Sequence, residues 1–162
     1  RKATSSYSVR FARYRKLSCV TTTGSGIIHS ASIVDRIRRY APATFQANVL
    51  APVDLGDSHF DSIGANFLFH CLPGELEWKV TTVASNLRPY LASGGVFFGS
   101  TILGSGVAHN LLGRRLMRLY NQKGIFSNLK DDERGLERGL ASELTDIEIE
   151  VVGTVALFAG RA

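Results

Sequence analysis

Cysteine is scarce in this sequence, with two among 162 residues, and methionine and tryptophan occur once each. Cys19 and Cys71 stand in no metal-ligand spacing, and so sparse a pair builds no disulfide framework; a reducing, cytoplasmic setting is expected. No apolar run approaches the ~20 residues that a membrane-spanning helix needs, so no membrane partner is expected. The basic opening stretch leads into no apolar signal core, which removes the usual mark of secretion. No cluster of His, Cys or acidic residues has metal-site spacing and no Ser-His-Asp set stands out, so neither a bound metal nor a nucleophilic triad is expected. A G-x-G-x-x-G turn into a helix is absent too, which argues against a dinucleotide-dependent oxidoreductase.

Negative charge is missing from the start of the chain. Residues 1 to 40 hold nine of the 19 Lys and Arg against Asp35 as the one acid, so the net charge of +5 belongs to the N-terminal segment. Such a segment can touch phosphates, but base-stacking aromatics are scarce in it, and no nucleic-acid partner is expected.

What is present is an ordinary globular composition, 44% hydrophobic and 20% charged, at a length that suits one domain. Residues 1 to 18 show neither helical nor strand periodicity and read as a basic irregular segment ahead of a single domain over 19 to 162. "CVTTTGSGII" reads as a strand and turn, "SASIVDRIRRY" as a short amphipathic helix on Ile33, Ile37 and Tyr40, and "ATFQANVLAP" as a strand ended by Pro52. "FDSIGANFLFH" and "GVFFGSTIL" are nearly continuous apolar runs, as strands buried on both faces of a parallel sheet are. Between them, Leu76, Val80, Val83 and Leu87 mark a helix expected to close at Gly94 and Gly95. "NLLGRRLMRLYNQKG" and "DDERGLERGLASEL" read as two further helices, and "DIEIEVVG" with "VALFAGRA" as an antiparallel hairpin across Gly153 and Thr154. The fold class expected is α/β, a Rossmann-like, mostly parallel sheet with helices on both faces and a C-terminal antiparallel hairpin.

Polar and reactive side chains gather where the apolar run 60–66 ends: Asn66, His70 and Cys71, followed by Pro73-Gly74. Three ordered blocks, "RIRRYAPATFQANVLAPVDL", "FDSIGANFLFHCLPG" and "GGVFFGSTIL…YNQKGIFSNLKDD", with "VVGTVALFAGR" at the end, resemble the class I S-adenosylmethionine-dependent methyltransferases over about residues 33 to 162. Ligands in such sheets lie outside the C-terminal strand ends, which explains polar residues at the end of an apolar strand. The resemblance implies S-adenosyl-L-methionine as cofactor and a small-molecule acceptor, and homo-oligomers are compatible with it. It implies that Asn48 binds the adenine amino group, that Val49 flanks the ring, and that Asn66 and Phe67 lie beside the methionine part. His70 is then the candidate to position or deprotonate the acceptor, with a packed, hydrogen-bonded histidine as the plain alternative. Tyr120, Asn121 and the "GIFSN" loop would lie over the acceptor, or else form a core stripe. Cys71 reads as a small apolar residue.

The sequence departs from that family at its N-terminal part. The family's first strand runs into a glycine-rich loop, and an acid at the second strand's end holds the ribose; here Gly24 and Gly26 of "TTTGSGII" are the one glycine-rich candidate for cofactor binding ahead of Asn48, and Gly24 falls near the acid's place. The expectation is an incomplete or atypical N-terminal part, the chain opening on Arg1 as a fragment or with an unrelated segment in place of the first strand and helix. Two functions follow from this. One is in-line methyl transfer to a small molecule, and the other a catalytically silent or truncated relative that binds a partner instead of cofactor.

Overall fold

The computed structural model describes the backbone of residues 8–14, 17–23 and 43–162, with side chains described from Ala47 onward. Seven strands form one sheet: β1 (Ser8–Tyr14), β2 (Leu17–Thr23), β3 (Ala43–Ala47), β4 (Phe60–Asn66), β5 (Leu91–Ile102), β6 (Thr145–Val152) and β7 (Val155–Arg161). Their order is β3-β1-β2-β4-β5-β7-β6. Three helices are described, α1 (Leu76–Leu87), α2 (Leu111–Gln122) and α3 (Glu133–Ala141).

The sheet is mixed. β4 pairs in parallel with β2 and with β5, aligning Cys19 with Gly64 and Gly64 with Phe98, while the remaining ladders are antiparallel. At the C-terminal side the expected hairpin is present, with the last strand, β7, inserted between β5 and β6 so that β6 forms the edge. At the N-terminal side, the irregular reading of residues 1 to 18 gives way over Ser8–Tyr14 to a strand. β1 and β2 form an antiparallel hairpin inside the sheet, with β1 paired to β3 and β2 to β4 on their other sides. The helix expected over "SASIVDRIRRY" and the glycines Gly24 and Gly26 lie outside the described residues.

Strand direction positions the site. β1 runs against both β2 and β3, so β2 and β3 point the same way, and β4 and β5 point with them. The C-terminal tips of β3, β4 and β5 therefore share one end of the sheet.

Packing explains which apolar residues matter. Ile63, Ala65, Phe97, Ala156 and Phe158 are buried on one sheet face, in one cluster with Val80, Val83 and Leu87 of α1 and Leu136 and Leu140 of α3. Each fully buried side chain of this size contributes on the order of 1.5–3 kcal/mol. Phe158 meets Phe69 at 5.6 Å and Phe97 at 5.8 Å between ring centroids, tying the inserted strand to the site loop. On the opposite face Phe98, Ile102 and Val155 are half-buried and Leu157 is 42% exposed. The apolar run in β5 thus serves a face with α1 and α3 on it and a second, more open face.

α1 stops at Leu87 instead of running to Gly94: Arg88 still has helical backbone and donates to the Ala84 carbonyl, but Pro89 has no N–H to continue the ladder; a 3-10 turn over Arg88–Tyr90 follows and β5 begins at Leu91. α2 and α3 open on Asn110 and Asp132, whose side chains accept from the N–H groups of Gly113 at 2.7 Å and Gly135 at 2.8 Å. α3 crosses α1 at Gly139, where a Cβ would stand 2.7 Å from Val80 Cβ and 2.8 Å from the Glu77 carbonyl oxygen.

Glycine-to-alanine in a helix interior ordinarily gains about 1 kcal/mol. At Gly139 the sign is expected to reverse, with Gly139→Ala costing about 2 kcal/mol through overpacking of the α1–α3 contact. Urea unfolding of the variant checks this, and equal or higher stability would remove the close contact from the account.

Candidate functional site

The end of the sheet where β3, β4 and β5 finish carries the polar residues. β3 ends at Ala47, and Asn48 stands exposed beyond it. Its Oδ1 accepts the Leu50 N–H at 3.1 Å and its carbonyl accepts the Ala51 N–H at 3.0 Å, so the residue builds the turn that stops the strand. One lone pair of Oδ1 and the whole side-chain NH2 remain for a ligand. Val49 is fully buried in the core, and its carbonyl accepts from Asn86 Nδ2 at 2.9 Å. Its side chain faces the interior, and Asn48 is the residue of this pair that faces outward.

Asn66 ends β4 and is exposed, with its Oδ1 accepting from Ser100 Oγ of β5 at 3.4 Å. Phe67 follows with φ of 51°, a left-handed backbone that few bulky residues adopt. It is held there by its N–H, which donates to the Ser100 carbonyl at 2.8 Å, while its ring stays half exposed. Strain of this kind costs on the order of 1–3 kcal/mol and gathers at ligand sites. Asn48 and Asn66 are separated by the β1 and β2 tips, three strand spacings or about 14 Å.

After Phe67 the chain makes a 3-10 turn over Phe69–Cys71 that tucks His70 inward, 4% exposed. The His70 ring meets Phe126 edge-on at 4.7 Å and Phe67 at 5.9 Å, and Phe126 in turn meets Tyr120 at 5.0 Å. These rings make an aromatic wall between the β4 tip and the segment after α2. Nδ1 of His70 is buried without a hydrogen-bond partner. Burial, reinforced by the nearby Lys79 charge, lowers the imidazole pKa to about 4, so the ring is neutral at pH 7. Burial pushes the Cys71 thiol up, which keeps it protonated and unreactive.

A buried ion pair holds this wall in place. Lys79 of α1 is fully buried; its Nζ lies 2.7 Å from Asp131 Oδ2 and donates to the carbonyls of Ser127 at 2.8 Å and Leu72 at 3.3 Å. Ser127 N–H donates to the His70 carbonyl at 2.8 Å, and the Asp131 carbonyl accepts from Gly104 and Ser105 N–H. One ammonium thus ties the histidine loop, the 127–131 loop and the segment after β5 together. Burial pulls Lys79 below the usual lysine range and pushes Asp131 up, each opposed by the partner's charge. Asn128, 1% exposed, completes the joint through both amide ends, accepting from Asn121 Nδ2 at 3.0 Å and donating to the Ile102 carbonyl at 2.8 Å.

Of the residues singled out from the sequence, Asn48, Asn66 and Phe67 share the strand-tip end, and His70 lies just behind Phe67; Gly24 and Gly26 lie outside the described residues. Lys79, Asp131 and Ser100 were not anticipated, whereas Asn128 belongs to the "GIFSN" loop. For Lys79 a signal existed, since it stands three residues after Leu76 and four before Val83, on the apolar stripe of α1 where a solvated lysine does not belong. Among the described residues, no group of three or more His, Cys, Asp or Glu could hold a metal ion.

No model of a known protein family matches the chain. Comparison with known proteins and structures nevertheless finds methyltransferases. The chain is 43% identical over 124 residues to the methyltransferase aurB of Calcarisporium arbuscula, covering 76% of this chain and 54% of that protein. It is 34% identical over 146 residues to demethylluteothin O-methyltransferase of Streptomyces thioluteus, covering 88% of this chain and 60% of the relative. The N-methyltransferase NodS of Bradyrhizobium japonicum, solved in complex with S-adenosyl-L-homocysteine, superposes with a TM-score of 0.51 at 14% identity over 81% of this chain and 60% of that one. The chain has the Rossmann-like fold of the class I S-adenosylmethionine-dependent methyltransferases, and it spans about half the length of the curated relatives it matches.

Two outcomes test the site's electrostatics. The folded state holds His70 neutral while the unfolded chain protonates near pH 6.5, so stability present above pH 6.5 is lost as the pH falls toward 4, by roughly 3 kcal/mol in all. Urea midpoints of the chain and of His70→Gln, measured across that range, should show the steeper decline only in the unsubstituted chain. Asp131→Asn leaves Lys79 buried beside a neutral amide and is expected to cost about 3–5 kcal/mol; a melting curve within a degree of the parent would contradict the role given to the pair.

Proposed function

We propose that the chain forms the catalytic-domain part of an S-adenosylmethionine-dependent O-methyltransferase acting on a small molecule. The observation that carries this reading is the pair of outward-facing amides, Asn48 and Asn66, at two strand tips on one end of a methyltransferase sheet. The donor set fits the cofactor's two ends. Asn48 offers an acceptor lone pair and an amide donor toward the adenine edge, and Asn66 offers amide hydrogens toward the carboxylate of the methionine part, with the exposed Phe67 ring beside it. The names of the relatives favour oxygen as the methylated atom.

S-adenosylmethionine, when bound, supplies an electrophilic methyl group, and in-line transfer then depends on alignment and water exclusion more than on acid-base groups. The chain's own residues supply those. Phe67, Phe126 and Tyr120, with the His70 ring set edge-on between Phe67 and Phe126, offer an aromatic wall against which an apolar acceptor can pack, and no charged side chain belongs to it. His70 is neutral at pH 7 and its unpartnered Nδ1 can accept a hydrogen bond or proton from an acceptor hydroxyl once the ring edge is uncovered. The buried Lys79–Asp131 pair fixes the loop carbonyls that set this histidine's position.

Calorimetric titration of the folded chain with S-adenosylmethionine and with its demethylated product is the direct test. Micromolar binding is expected, and Asn48→Ala should weaken it about tenfold or more with an unchanged melting curve, since an exposed side chain carries little stability. A folded chain that binds neither compound would remove the cofactor from this polypeptide. With an acceptor in hand, His70→Gln should lower turnover more than cofactor affinity; equal turnover would take the histidine out of the chemistry.

A further inference from the structure

α2 is an amphipathic helix whose apolar side faces solvent. Leu112, Leu116 and Leu119 recur at three- and four-residue spacing on one face and are 67%, 41% and 40% exposed. Leu111 at the helix start is 81% exposed, and Ile125 and Leu129 just beyond it are 49% and 52% exposed. The helix rests on the protein through a different side, where Met117 is buried and Asn121 bonds to Asn128. Monomeric domains seldom leave this many large apolar side chains together in water, and such patches mark contact surfaces.

Charge narrows the partner. Arg115 lies exposed beside the leucine face, Arg114 and Arg118 lie exposed toward the opposite side of the helix and Lys123 follows it, and none of these forms an ion pair among the described residues. From Trp78 to Lys130 the sequence contains no Asp or Glu at all. A protein partner that covered the leucines would have to bring acids to match the arginines, and a second copy would set like charges together. A helix of 12 residues with leucines on one face and arginines on its other exposed sides has the composition that lies in the plane of a lipid interface. We infer that α2 is a peripheral docking surface for anionic lipid membranes, its leucines entering the headgroup boundary and its arginines meeting lipid phosphates and carboxylates. This contact differs from spanning; no helix among the described residues is long and apolar enough to cross a membrane.

The test is co-sedimentation of the whole chain with phosphatidylcholine vesicles and with vesicles in which about a third of the lipid is phosphatidylserine, at low and at high salt. Binding is expected to favour the anionic vesicles at least about tenfold and to fall as salt screens the arginines. Replacing Arg114, Arg115 and Arg118 with Gln together should weaken it roughly a hundredfold, from about 1 kcal/mol per charge. Leu112→Ser with Leu116→Ser should weaken it separately while circular dichroism stays unchanged, because both side chains face solvent. Equal binding to the two vesicle types, or binding that survives either set of substitutions, would overturn the inference. So would a leucine-dependent dimer in sedimentation equilibrium, or duplex DNA that binds as tightly as the vesicles and ignores the leucine changes.

Discussion

The Lys79–Asp131 ion pair is the joint on which the functional end of this molecule depends. An ammonium removed from water must find partners for its hydrogens, and Lys79 finds them on two segments outside its own helix: Leu72 in the loop after β4, and Ser127 and Asp131 in the loop between α2 and α3. Because the requirement is strict, the histidine loop and the aromatic side chains that surround it are held in one arrangement, and apolar packing alone would not specify that arrangement so narrowly. The same charge contributes to keeping His70 neutral.

Around this joint the sheet divides its tasks by position along the strands. Strand interiors supply the apolar layer against α1 and α3, and strand tips supply Asn48, Asn66 and Ser100. The division follows from hydrogen bonding. Inside the sheet the backbone groups of the interior strands pair with their neighbours, whereas at the tips the pairing stops and side-chain amides and turns must take over. Phe67 shows what this requires, since its left-handed backbone lets one N–H stay bonded to Ser100 while the ring turns outward.

Much of the fold was legible in the residues. The runs at β4 and β5, the stripe on α1, the caps Asn110 and Asp132 and the tight Gly153–Thr154 turn each carry a local physical signal. β2 was legible in "CVTTTG", but β1 and its pairing with β2 were not, because a basic segment looks solvated until its pairing partners are known. The site was legible at its polar tips, where an asparagine ends an apolar run. Its buried half was harder to read. Lys79 and Asp131 are 52 positions apart, counted from 79 to 131, and no local pattern joins them.

By itself the sequence determined the element types through the middle and C-terminal parts of the chain, the hairpin that closes the sheet, and the residues able to face a ligand at the strand ends. Those follow from periodicity, turn chemistry and the cost of burying polar groups, all of which act over a few residues. Only the tertiary structure decided that the tips of β3, β4 and β5 share one end, that His70 is enclosed by Phe67 and Phe126, and that a lysine on an apolar stripe meets its acid from another loop. Strand order and the pairing of distant charges depend on which segments meet in space, and contacts of that range leave no period in the chain that forms them.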